Sequence, residues 1–135
     1  MGVVEGRNRM INMKYINVRC STGKMLGNHF ICSSMDINSI LDIDINSGNI
    51  DILGFFKDVN DARENMYRDS CTLNSEEIAF FPENASCIAV YNYKTDAVKT
   101  IDLGLGKNAE YNAYKNNNSI ILFPLDGSNP ILSWD

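Results

Sequence analysis

The stretch Ala85-Ser-Cys-Ile-Ala-Val-Tyr-Asn-Tyr-Lys-Thr-Asp-Ala-Val-Lys-Thr-Ile-Asp-Leu103 reads as two strands folded on a polar turn. In its first half Cys87, Ala89, Tyr91 and Tyr93 alternate with Ile88, Val90 and Asn92, the two-residue period of a pleated strand. Both sets are largely apolar, which fits a central strand covered on both faces. The second half alternates Ala97, Lys99, Ile101 and Leu103 with Val98, Thr100 and Asp102, a mixed pattern suited to a neighbour nearer the solvent. Lys94-Thr95-Asp96 contains no Asn-Gly or Asp-Gly pair, so a loop of three or more residues is expected. Propeller blades contain hairpins of this kind, but no second copy recurs at a fixed period, and the sequence reads as a single hairpin.

Working outward, Ser39 to Phe56 is a second candidate hairpin. Leu41, Ile43 and Ile45 alternate with Asp42 and Asp44, Asn46 to Asn49 form a turn, and Ile50 and Ile52 alternate with Asp51 and Leu53. If the isoleucines are buried, Asp42, Asp44 and Asp51 share the opposite face. Short strands are also expected at Met13–Cys20, Phe30–Cys32, Ile120–Phe123 and Pro130–Trp134, with Pro124 confining its strand to an edge or ending it. Ser21 to His29, with Gly23 and Gly27, reads as a loop. Asn74 to Phe81 fits either a short helix or a strand.

The segment from Asp58 to Asp69 predicts the one main helix. Asp58 caps it, and Asp61 suits the positive end of the dipole. Val59, Ala62, Met66 and Tyr67 form a narrow apolar stripe, and Glu64 precedes Arg68 by four residues. The fold expected is therefore α+β: a mostly antiparallel, twisted sheet of about five to seven strands with the 58–69 helix on one face. Residues 1–12 read as a basic arm and 13–135 as one globular domain, a size ample for a core without staples.

Charge is distributed unevenly. Met1 to Lys24 carries five basic residues against Glu5 alone, while the 135-residue chain has a net charge of −5, which leaves −9 for the remainder. No Lys or Arg occurs between Lys24 and Lys57, an interval that holds Asp36, Asp42, Asp44 and Asp51.

Motifs for chemistry are missing. Ser21-Thr-Gly-Lys24 lacks the first glycine and the trailing hydroxyl of a phosphate-binding loop. Asp42-x-Asp44-x-Asn46 begins like a calcium loop, but Ser47 stands where glycine is needed and Leu53 where a bidentate glutamate is needed. His29 is the single histidine. Cys32, three residues on, falls on the other face of a strand, which opposes a local Cys-His nucleophile. His29-x-x-Cys32 is the only tight pair among possible zinc ligands. The four cysteines (Cys20, Cys32, Cys71, Cys87) are read as reduced, mostly buried thiols. No catalytic residue, cofactor or metal is expected. The absence of long apolar runs and of a signal-peptide pattern leads to the expectation of a cytoplasmic chain with no membrane contact. The −9 body opposes nucleic acid as a partner.

In size, charge and lack of catalytic motifs, the chain resembles the immunity proteins that neutralise bacterial toxins, a likeness of type that covers no particular residues. It implies an acidic binding or inhibitory protein steered to a basic partner such as a toxin nuclease. Asp36, Asp42, Asp44 and Asp51 are the candidate contact residues. The alternative is a small enzyme or ligand-binding module, with a pocket beside the central strands lined by Tyr91, Tyr93, His29 or Cys32.

Overall fold

A computed structural model describes residues 18–55, 66–104 and 109–135. They form eleven strands in three antiparallel sheets, and no described residue is helical. The first sheet runs in sequence order through β1 (Cys20–Leu26), β2 (His29–Ser34), β3 (Ser39–Asp44) and β4 (Ile50–Phe55). The second repeats that meander with β5 (Tyr67–Thr72), β6 (Glu77–Pro82), β7 (Cys87–Asn92) and β8 (Ala97–Asp102). The third holds β9 (Tyr111–Lys115), β10 (Ile120–Pro124) and β11 (Leu132–Trp134).

The α+β expectation is thus corrected to an all-β fold. Of the expected 58–69 helix, residues 58–65 lie outside the described residues, and its last part is strand. Tyr67 to Thr72 pair antiparallel with β6, with a bulge between Tyr67 and Asp69. Met66 and Tyr67 are both buried, as the stripe anticipated, but they are held by a sheet. The Met66 carbonyl accepts the amides of Glu83, Asn84 and Ala85, which folds the β6–β7 connection over the start of β5. A stripe of four apolar residues is weak support for a helix. The β-favouring Tyr67, Cys71 and Thr72 beside an apolar partner strand outweigh it.

The hairpin at 85–103 is present as read. Its turn is tied by the Asn92 carboxamide, which accepts the amides of Lys94 and Thr95 at 3.0 Å each. Strand β7 is covered on both faces: Ala89 and Tyr91 join the core shared with the first sheet, while Ile88 and Val90 join the core shared with the third. Strand β6 divides in the same way, with Ile78 and Phe80 on one side and Ala79 and Phe81 on the other. The middle sheet is therefore sandwiched, and β8 is its half-exposed edge.

The Ser21–His29 loop is also corrected. β1 spans most of it and pairs with β2 through Gly27-Asn28, where Gly27 takes the positive φ (59°) that the first position of such a tight turn demands. Gly23 stands opposite Cys32, and a side chain there would meet the Cys32 Cβ at 2.5 Å. These glycines serve a hairpin rather than a loop.

The single-hairpin reading is corrected as well. Three meanders begin at Cys20, Tyr67 and Tyr111, roughly 45 residues apart, a spacing of about 40–50 residues being that of propeller blades. Their first strands lie side by side, β1 against β5 and β5 against β9. Side chains tie them: the Ser21 hydroxyl donates to the Tyr67 carbonyl, Thr22 and Ser70 hydroxyls meet at 2.7 Å, and Asp69 accepts the Ala113 amide at 2.8 Å. Stacked four-stranded meanders are the way propellers are built. The repeat lies in backbone topology and is carried by different residues each time, which is why no sequence period reveals it.

The basic arm at 1–12 and most of the expected first strand lie outside the described residues. Among the described residues no helix is long and apolar enough to cross a membrane.

Candidate functional site

Register decides where the aspartates go. In the first sheet His29 stands opposite Asp44, Ile31 opposite Asp42, and Asp42 opposite Asp51. Directly opposed residues of an antiparallel pair share a face. His29, Asp42, Asp44 and Asp51 therefore share the face of Ile31 and Ile40, the one packed on the second sheet. The expectation of a buried isoleucine face with aspartates beyond it fails for Asp42 and for the isoleucines of β4, although Leu41 on that face is buried. Ile50 and Ile52 are exposed, whereas Asp42 is 8% exposed.

Asp42 is buried with a partner. Its carboxylate lies 2.8 Å from Nδ1 of His29, so the imidazole supplies the bond that a carboxylate withdrawn from water requires. The His29 ring rests on Tyr93, centroids 5.1 Å apart and tilted by 44°, at the mouth of the β7–β8 turn. Tyr91 donates its hydroxyl to Asp96 at 3.0 Å. Burial pushes the Tyr91 phenol up, with Asp96 and then Asp42 adding to the effect. Loss of solvent also raises Tyr93, helped by Asp42 and Asp44. Two tyrosines of the second sheet thus feel acids of both sheets, and Asp42, Asp44 and Asp96 border one rim.

Asp44 organises its own turn. It accepts the amides of Asn46 and Ser47 at 2.8 and 3.2 Å. Those bonds, Ser47 foremost, hold its carboxyl below the usual range. Asp51 is exposed on β4, directly across from Asp42. Asp36 is elsewhere, in the β2–β3 connection at the far end of β3, where Arg19 offers it a backbone amide and its guanidinium. That side-chain bond chiefly lowers the Asp36 carboxyl. Of the four aspartates expected to act together, Asp42, Asp44 and Asp51 gather and Asp36 does not.

The alternative set is divided too. His29 and Tyr93 meet, and Tyr91 lies behind them, but Cys32 is on the opposite face of β2, its sulfur 3.2 Å from that of Cys20. All four cysteines are unbridged. Burial pushes the Cys71 thiol up to about 11. Among the described residues no three His, Cys, Asp or Glu side chains are grouped to hold a metal ion.

One feature escaped the sequence reading. Arg68, expected to pair with Glu64 along a helix, projects from β5 into a polar cleft of about 370 Å³ lined by Ser21, Met35, Asp69, Glu83 and Asn112. There it donates to the Asn112 carboxamide at 3.1 Å and faces Glu83 and Glu110 at 3.5 and 3.9 Å. The cleft runs along the first strands, so only knowledge of the stacking could have located it. No protein-family model matches the chain, and no curated protein matches it.

Proposed function

We propose that this chain is a protein-binding module that receives a basic partner at the rim formed by Asp42, Asp44, Asp51 and Asp96. The observation that carries the reading is the placement of Asp42 directly opposite Asp51. Like charges so opposed destabilise a sheet, and the sequence offers no Lys or Arg from residue 25 to 56 to relieve them. His29 bonds Asp42 and stands directly opposite Asp44. A guanidinium or ammonium group of a partner relieves the remaining repulsion, and a one-sign rim steers such a partner during approach. A nuclease, whose substrate cleft is positive, is a partner of the right chemistry. Asp36 is left out of the contact set because Arg19 already neutralises it.

The test uses an oligo-arginine peptide and the amide resonances of the chain. The peptide should shift resonances around Asp42, Asp44, Asp51 and Asp96, and salt should weaken the effect. Asp51→Lys should abolish the shifts while stabilising the fold by about 0.2–1 kcal/mol, since an opposite-charge pair then replaces a like-charge one. Shifts spread evenly over the surface, or unaltered by Asp51→Lys, would remove the reading.

One observation favours a second reading, a small-ligand site. The Asp42 bond fixes the orientation of the His29 ring, and Tyr93 covers one side of it. A small acid or phenol binding there would perturb His29 and Tyr93 and remain insensitive to Asp51→Lys, which separates the two readings.

A further inference from the structure

On the other face of the first sheet, two thiols meet. Cys20 opens β1 and Cys32 lies inside β2; the bulge between Cys20 and Thr22 sets Cys20 opposite Ser34, which brings it onto the face of Cys32 as its diagonal neighbour. Their sulfurs are 3.2 Å apart. A disulfide needs about 2.05 Å, so the sulfurs must approach by about 1 Å more. Gly23, opposite Cys32, leaves room that any other residue would fill, since its missing Cβ would lie 2.5 Å from that of Cys32. The two thiols also differ in access: Cys20 is half-buried, whereas Cys32 is wholly buried.

We propose that Cys20 and Cys32 are a reversible dithiol site, oxidised to an interstrand disulfide between β1 and β2 by a small-molecule disulfide. The Cys20 thiolate attacks one sulfur of that oxidant, forming a mixed disulfide and releasing the first small thiol. The Cys32 thiolate then attacks the Cys20 sulfur and expels the second. Two protein thiols and one small disulfide become one protein disulfide and two small thiols, with the two protein protons carried off by the leaving thiolates. The partition of roles follows exposure, because only Cys20 is open to an external oxidant. Burial first, and the adjoining Cys20 second, push the Cys32 thiol up. Capping Cys20 removes only the second of these, so the closing step is slow at neutral pH and quickens as pH rises.

Oxidised glutathione is the probe, with the full chain as substrate. The wild-type chain should go from four thiols, counted in denaturant, to two, and peptide mapping should find Cys20 joined to Cys32. Dithiothreitol should restore four. Cys32→Ser should stop at a stable glutathione adduct on Cys20, and Cys20→Ser should resist oxidation on the same timescale. Because mapping is done on the wild-type chain, the test survives if either variant folds poorly. A wild-type chain that retains glutathione on Cys20, that links Cys71 or Cys87 instead, or that keeps four thiols overturns the proposal.

Discussion

The two faces of the middle sheet receive different neighbours. Against the third sheet the buried centre is hydrocarbon and aromatic: Phe81 meets Trp134 edge-on with centroids 6.4 Å apart, beside Ile88, Val90, Tyr111, Ile120 and Leu122, with Arg68 and Asp69 at its edge. The polar end of Tyr111 reaches the Pro130 carbonyl at 2.8 Å. Against the first sheet there is also an apolar centre, from Ile31, Ile40, Tyr67, Ile78 and Phe80. At its rim, however, that interface admits Asp42 and His29, and it buries Ser33 and Ser70 as well. The same strands, β6 and β7, build both. The charged groups of the second interface lie along the β5–β9 seam, where Arg68 and Asp69 tie the first strands together, whereas the Asp42–His29 pair sits on β2 and β3 and needs a reason of its own.

The largest test of this contrast is Phe81→Ala. Phe81 is fully buried in the second interface, and removing such a ring costs about 3–5 kcal/mol. Chemical denaturation should show the loss, with the His29–Asp42 rim unperturbed in spectra of the remaining folded protein. A loss below about 1 kcal/mol would mean that the second interface does not hold the sheets together.

A second, smaller effect belongs to the first interface. His29→Ala leaves the buried Asp42 carboxylate without its ring partner, and an unmet buried acceptor costs about 1–3 kcal/mol. The double variant His29→Ala with Asp42→Ser should recover part of that loss, because both members of the pair are gone. If the single and double variants are equally destabilised, the bond contributes through ring packing on Tyr93 and not through the carboxylate.

This difference explains what could be read in the chain beforehand. The two hairpins were legible because alternation over six residues has few other readings, and β7 was correctly seen as covered on both faces because neither of its sets is polar. The facing of β3 and β4 was not legible. Ile-Leu-Asp-Ile-Asp satisfies either orientation, and the choice was made by register against β2, where Ile31 and His29 bring Asp42 and Asp44 inward. Burial of Asp42 depends on one histidine thirteen residues away, a pairing that local period does not encode. Asp36 looked like its neighbours in composition and was set apart by Arg19, seventeen residues earlier. The helix at 58–69 was favoured by capping and spacing, yet Tyr67 to Thr72 answered to a partner strand ahead in the chain.

The smallest expected effect concerns acid, and it compares the first sheet with the third. Asp36 and Asp44 on the first sheet and Asp126 beside β10 all have carboxyls held below the usual range, by Arg19, by the Ser47 and Asn46 amides, and by the Ser128 amide respectively. A carboxyl depressed in the folded state contributes stability that is fully present above its unfolded value, near 4, and that is lost as pH falls through the folded value. The thermal midpoint should therefore be level at neutral pH and fall below about pH 4. Asn can still accept backbone amides in the turns of Asp44 and Asp126, so Asp44→Asn and Asp126→Asn should flatten the acid limb only slightly. Asp36→Asn also forfeits the charge of the Arg19 pair and should flatten it more, although the exposure of that pair keeps the change small. Midpoints measured from pH 7 to pH 2 in low salt would decide the matter: an acid limb that is unchanged in all three variants would place the acid sensitivity in other carboxylates.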